Sequence, residues 1–283
     1  MTPLVVDVVR RLQRNPVPYL LAVAMAANVG STATITGNPQ NILIGSFSHI
    51  AYGDFAARLA PVAGLGLLAT ILLVALFHPG EFWTRDRLRT QPAPAHLHTP
   101  LAVKSVAIAA TMMAAFFAGQ PPAKVALVGG GVLLITRVVR SDRIYREIDW
   151  PLLLLFAGLF VVVAGFETAV LTPEIVTRIG GLGLDRPPVL ATVTAVLSNL
   201  VSNVPAVLVI RPFLATIGDP HDAWLLVAMA STLAGNLTIL GSVANLIVVQ
   251  SARAHGVAIG FWEYSRVGAP LTVLTILIGL WWL

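Results

Sequence analysis

Along the chain, apolar residues run in long blocks separated by short basic or Pro- and Gly-rich stretches. A membrane-crossing helix needs about 20 apolar residues, since it rises about 1.5 Å per residue through hydrocarbon about 30 Å thick. The blocks predict helices over 60–77, 101–118, 125–139, 151–168 and 267–283, and two longer, interrupted ones over 18–46 and 223–249. The apolar stretch 188–215 carries Ser198, Asn199, Ser202 and Asn203 in its middle, with Pro205 close behind. Its two arms of about ten residues each reach roughly 15 Å, half the hydrocarbon, which predicts a re-entrant hairpin with a polar tip. Residues 1–15 form an amphipathic stretch ending in Arg10, Arg11 and Arg14.

The interrupted blocks repeat one another. At a shift of 204, residues 16–45 align without gaps to 220–249 with ten identities, among them the shared pattern TIxGxxxN at Thr34/Thr238, Ile35/Ile239, Gly37/Gly241 and Asn41/Asn245. Chance similarity between apolar helices does not explain shared Gly and Asn, which a membrane helix otherwise avoids. At a shift of 209, Asp54, Phe55 and Pro61 face Glu263, Tyr264 and Pro270, and Pro3 faces Pro212. Four crossings separate the copies when 188–215 is a hairpin, so the second copy is inverted. Inverted repeats with broken helices are the architecture of secondary transporters, with substrate near the midplane. The organisation expected is a first repeat over 1–80, a loop over 81–100 and a second repeat over 101–283.

Composition agrees: 57% of the 283 residues are hydrophobic and 11% charged, against about 25% charged in soluble domains. The fold class expected is an all-α polytopic membrane protein with inverted repeats, broken transmembrane helices and a re-entrant hairpin. The net charge of +5 implies no nucleic-acid partner, because the basic residues sit in short clusters between spans. Alternation from a cytoplasmic Arg10, Arg11 and Arg14 puts thirteen of the 18 Lys and Arg on that side, including Arg85, Arg87, Arg89, Arg137, Arg140, Arg143, Arg146, Arg253 and Arg266. Arg58, Lys124, Arg178, Arg186 and Arg211 fall on the other. Such a bias suits a multi-pass protein of a prokaryotic-type plasma membrane.

Within the first interrupted block, GNPQN (37–41) cannot continue a regular helix: Pro39 removes a donor and disfavours helical geometry at Asn38, and Gly37 permits a turn. The second block has GSVAN (241–245), with Asn236 upstream. A break in hydrocarbon persists only where its freed backbone groups find partners. Half-helix N-termini then suit an anion, and exposed carbonyls suit a cation. Asn38, Asn41, Asn199, Asn203 and Asn245 are the candidate site residues, since they sit at duplicated breaks or at the hairpin tip. None of the 13 Asp and Glu falls at a break, so a small anionic substrate, with or without Na⁺, fits better than a carboxylate-based cation antiporter. Glu167 and Asp7 read as residues at helix ends reaching toward water. The chain has no cysteine and none of the phosphate-loop, metalloprotease or serine-hydrolase signatures, so no enzyme activity is expected. His96 and His98 lie in a Pro-rich loop and carry no metal expectation.

The stretch AANVGSTATITGNPQNILIG (26–45), the tip SNLVSNVP (198–205) and GNLTILGSVANLIVV (235–249) resemble the ion-transporter superfamily of arsenite permeases, citrate-type carriers and divalent anion:sodium symporters. The resemblance implies a hairpin and a broken helix in each repeat, with substrate and coupling ions at the tips and breaks. Transferred residue by residue, the binding positions are Gly37, Asn38 and Asn41 in the first break, Ser198, Asn199, Ser202 and Asn203 at the tip, and Gly241, Ser242 and Asn245 in the second. It further implies Na⁺ or H⁺ as coupling ion, no other metal or cofactor, and a homodimer in the bilayer. The function expected is secondary transport of a dicarboxylate, a citrate-like anion or an inorganic oxyanion. The alternatives are arsenite or antimonite efflux and a truncated, non-transporting remnant. By the repeat, Pro3 belongs to the returning arm of a first hairpin, whose tip and other arm are expected ahead of Met1.

Overall fold

The computed structural model describes residues 1–83, 99–135, 148, 150–169, 183–214 and 217–283. The expectations for Arg85, Arg87, Arg89, His96, His98, Arg137, Arg140, Arg143, Arg146 and Arg178 lie outside these residues, as does the Glu167 side chain.

The protein is all-α. In chain order the helices are α1 (Thr2–Arg11), α2 (Pro16–Ser31), α3 (Pro39–Ser48), α4 (Tyr52–Phe77), α5 (Pro79–Phe82), α6 (Thr99–Phe117), α7 (Pro122–Leu134), α8 (Trp150–Ala169), α9 (Pro187–Val201), α10 (Asn203–Leu214), α11 (Pro220–Ala234), α12 (Val243–Ala254) and α13 (Phe261–Trp282). Among the described residues α4, α6 and α13 are long and apolar enough to cross a membrane. Each interrupted block resolves into two half-helices around a single 3₁₀ turn, Ile35–Gly37 between α2 and α3 and Ile239–Gly241 between α11 and α12. The first break opens at Thr32, ahead of GNPQN, because α2 ends at Ser31 with Thr32 as its cap. Residues 188–214 of the expected hairpin are a helix pair hinged at Ser202.

The helices pack as two compact units. One consists of Met1–Ile50, Asp54–Pro92 and Leu171–Leu283, the other of Ala51–Gly53 and Ala93–Val170. In the smaller unit α6 packs on α7. In the larger, α11 is the central helix: every residue from Ala223 to Ala234 is buried, and α2, α3, α9, α10 and α13 surround it. A helix apolar on all sides belongs in such a place. The core there mixes the two sequence repeats, with Leu20, Leu21 and Met25 of α2 against Ile239, Val248, Tyr264 and Leu271.

Packing repeats as the sequence does. In the first copy α1 lies on α2 and α12; in the second, α10 lies on α11 and α3. The amphipathic helix α1, its Val6 and Val9 buried, thus holds the place that the returning hairpin arm holds in the other copy.

Candidate functional site

The two breaks use the same chemistry. Each second half-helix starts on an extended residue whose side chain caps it: Asn38 Oδ1 accepts from Asn41 N at 2.8 Å, and Ser242 Oγ accepts from Ala244 N at 3.2 Å. Such caps contribute about 1 kcal/mol each. Carbonyls at the two breaks gain a side-chain donor from one asparagine per copy. Asn41 Nδ2 donates to Ser31 O and Thr34 O, both at 3.1 Å, and Asn245 Nδ2 donates to Gly235 O at 2.7 Å and Thr238 O at 3.1 Å. All four acceptors correspond at the shift of 204. Glycine is required beside them: a Cβ on Gly37 would run into Ser31 O, and one on Gly241 would lie 2.8 Å from Gly235 O.

The copies are also tied to each other through corresponding positions. Asn28 Nδ2 donates to Asn245 Oδ1 at 3.0 Å, while Thr232, the counterpart of Asn28, donates through Oγ1 to Asn41 Oδ1 at 3.4 Å. Ser242 Oγ donates to Asn28 Oδ1 at 2.8 Å, and its counterpart Asn38 donates through Nδ2 to Thr232 Oγ1 at 3.2 Å. Asn28 Nδ2 reaches Asn236 Oδ1 at 2.9 Å, and Gln40 Nε2 reaches Thr232 Oγ1 at 3.3 Å. Asn41, Asn236 and Asn245 are fully buried.

The hairpin tip sits against the second break. Asn199 Nδ2 donates to Ala195 O and Ala234 O, both at 3.0 Å. Its Oδ1 lies 3.0 Å from where a Cβ of Gly241 would stand, close to Gly235 O. That oxygen has no hydrogen-bond partner, nor do the buried Ser198 Oγ, Asn203 Oδ1 and, one turn below Ser198, Thr194 Oγ1. Ser202 turns the chain with φ of 77° and ψ of 159°, a region that non-glycine residues enter at a cost of order 1–3 kcal/mol. Its side chain is exposed, and its carbonyl accepts from Ala206 N at the start of α10.

Of the ten expected positions, Asn38, Asn41, Ser242 and Asn245 therefore join one hydrogen-bonded core at the breaks. Gly37 and Gly241 allow the chain to fold back there, and Ser198, Asn199 and Asn203 cluster at the tip beside the second break. Asn41 and Asn245 spend both amide hydrogens within the protein. Thr232, Gln40 and Thr194 were not expected from the sequence. The repeat alignment carried a signal for Thr232, since it pairs with Asn28 as a second polar residue in an apolar helix. No group of three or more His, Cys, Asp or Glu that could hold a metal occurs among the described residues.

Two broken helices braced across an internal repeat, with a re-entrant hairpin on one of them, define a helical membrane transporter. Sequence comparison carries this to a family. A family model described as citrate transporter matches residues 1–234, and the chain belongs to that family. An uncharacterized transporter of Mycobacterium tuberculosis is 30% identical over 98% of this chain and 69% of its own length. The silicon efflux transporter LSI3 of Oryza sativa subsp. japonica is 27% identical over 93% of this chain and 69% of its own. A transporter named arsB of Dictyostelium discoideum is 38% identical over 62% of this chain and 32% of its own.

Proposed function

We propose that the chain is a secondary transporter of a small anion, a dicarboxylate, citrate-like anion or inorganic oxyanion, held where the hairpin tip meets the two breaks and coupled to Na⁺ or H⁺. The observation that carries this reading is the cluster of buried, partnerless oxygens at the tip: Ser198 Oγ, Asn199 Oδ1 and Asn203 Oδ1. A buried polar atom left unpaired costs about 1–3 kcal/mol, so the tip favours any solute that supplies a partner. Amide oxygens only accept, which suits a coupling cation or an acidic hydroxyl of the substrate. The first turns of α3, α10 and α12 offer backbone N–H groups and positive dipole ends to its anionic part. The network that spends Asn41 and Asn245 keeps the half-helices in register, so these two position the site while the tip residues meet the solute.

Arsenite or antimonite efflux is the second reading. It is favoured by the absence of any charged side chain among the ten site residues, an environment suited to a neutral hydroxylated solute. A named silicon efflux transporter among the relatives fits the same chemistry. Proteoliposome uptake of citrate, succinate, sulfate and arsenite, with and without an inward Na⁺ gradient, separates the two. We expect uptake of an anion that Asn199→Ala and Asn203→Ala each reduce at least tenfold at unchanged protein insertion. Arsenite movement without any anion movement would establish the second reading instead.

A further inference from the structure

We propose that the cleft between the end of α4 and the start of α13 binds the phosphate headgroup of an anionic phospholipid, with Arg266 as its anchor. The cleft, about 420 Å³, is lined by Phe77, His78, Trp262, Glu263, Arg266 and Val267. The reason to assign it a ligand comes from its counterpart at the other end of the same two helices, because the repeat pairs α4 with α13.

At that other end the junction is closed by the protein itself. Arg58 Nη2 donates to Asp222 Oδ1 at 2.8 Å, Trp282 Nε1 donates to Arg58 O at 2.9 Å, and His221 Nε2 meets Asp54 Oδ2 at 2.9 Å. The carboxylate and the imidazole come from the first turn of α11. The corresponding first turn of α2 offers Val17 and Pro18 where α11 has His221 and Asp222. Arg266 stands one residue before the counterpart of Arg58, and it has no ion pair or hydrogen bond among the described residues. Glu263, which also lines the cleft, makes no ion pair with it; its Oε2 accepts from Gly260 N at 3.3 Å and caps α13. An arginine without an internal partner thus lines a cleft one residue from the position whose counterpart holds an internal carboxylate, and an external anion can supply that partner.

The walls select the source of that anion. Trp262 is 77% exposed and Phe77 38%, and both lie at the ends of helices long and apolar enough to span the bilayer. Aromatic rings at span ends sit at headgroup depth, and basic clefts between spanning helices take lipid head groups. The guanidinium can hold a phosphate bidentately. His78 also lines the cleft, its ring held by the contact of Nδ1 with Val74 O at 3.1 Å. A soluble phosphate would have no use for the aromatic walls, whereas the glycerol and first methylenes of a lipid cover them.

The test uses the full chain in detergent, with binding followed by native mass spectrometry and thermal unfolding. The probes are dioleoyl phosphatidylglycerol, dioleoyl phosphatidylcholine and inorganic phosphate. We expect phosphatidylglycerol to remain bound and raise the melting temperature, and phosphatidylcholine to do neither. Arg266→Gln should weaken phosphatidylglycerol binding about tenfold, the loss of one charge-assisted contact, while Arg253→Gln, another exposed cation of the same end, should leave it unchanged. Trp262→Ala, at an exposed side chain, should weaken it several-fold. Equal retention by Arg266→Gln and the native chain, equal binding of the two lipids, or an Arg266-dependent shift with inorganic phosphate alone would each overturn the proposal.

Discussion

Asn41 and Asn245 show what one side chain must do when a helix is broken away from water. Each donates twice to carbonyls at the break, where α-helical bonding has given way to single i→i+3 bonds or none, and each is fully buried. Alanine at either position removes two hydrogen bonds, each worth about 0.5–1.5 kcal/mol, although Ser31 O, Thr34 O and Thr238 O keep a backbone donor. Asn41→Ala and Asn245→Ala should therefore each lower the unfolding free energy by about 1–3 kcal/mol, measured by denaturant titration in micelles; a loss within error at both would show that water replaces the amides. Ser202 makes the opposite prediction. Its positive φ is one that glycine adopts freely, so Ser202→Gly should raise stability by up to about 1 kcal/mol. Both breaks were legible in the sequence because Gly, Asn and Pro are conspicuous in apolar surroundings. The partnerless state of Asn199 Oδ1 was not, since it depends on where Ala234 and Gly241 come to lie.

At the scale of elements, the half-helices α2, α3, α11 and α12 behave as one hydrogen-bonded assembly rather than two separate broken helices. The contacts Ser242 to Asn28 and Asn38 to Thr232 join opposite copies at corresponding positions. Groups in one network couple by about 0.5–3 kcal/mol, whereas sites more than about 7–10 Å apart with no shared partner add. A double-mutant cycle of Asn28→Ala with Ser242→Ala should give a coupling above about 0.5 kcal/mol, and one pairing Asn28→Ala with Thr192→Ala, an exposed residue bonded only to its own helix at Pro188 O, should give none. The alignment at a shift of 204 identified which residues correspond. It did not reveal that corresponding residues reach across to each other's copy, because a sequence shift says nothing about how two segments are docked.

For the larger packing unit as a whole, the two ends of the α4 and α13 pair are finished differently, one by an internal ion pair and the other by an open cleft lined by Arg266. The Arg58–Asp222 pair is part-exposed, so Coulomb attraction there is screened and worth about 0–1 kcal/mol. Asp222→Asn should accordingly cost less than about 1 kcal/mol at low salt and nothing measurable near 1 M, in the same unfolding assay. Loss of several kcal/mol would mean that the clasp, and not the buried amide network, holds the copies together.

The sequence by itself determined that this is an all-α membrane protein, where its helices break, and that two of its segments are copies. Hydrophobic length and helix-incompatible residues are local properties, and the membrane allows few ways to satisfy a broken backbone. Tertiary structure alone decided which polar groups are spent and which remain. Asn41 and Asn245 are consumed in bracing the breaks, while Ser198, Asn199 and Asn203 keep unpaired oxygens at the tip. Hydrogen-bond satisfaction is settled by ångström-scale distances between segments some 200 residues apart, as between Asn28 and Asn245, and no periodicity of the chain encodes those distances.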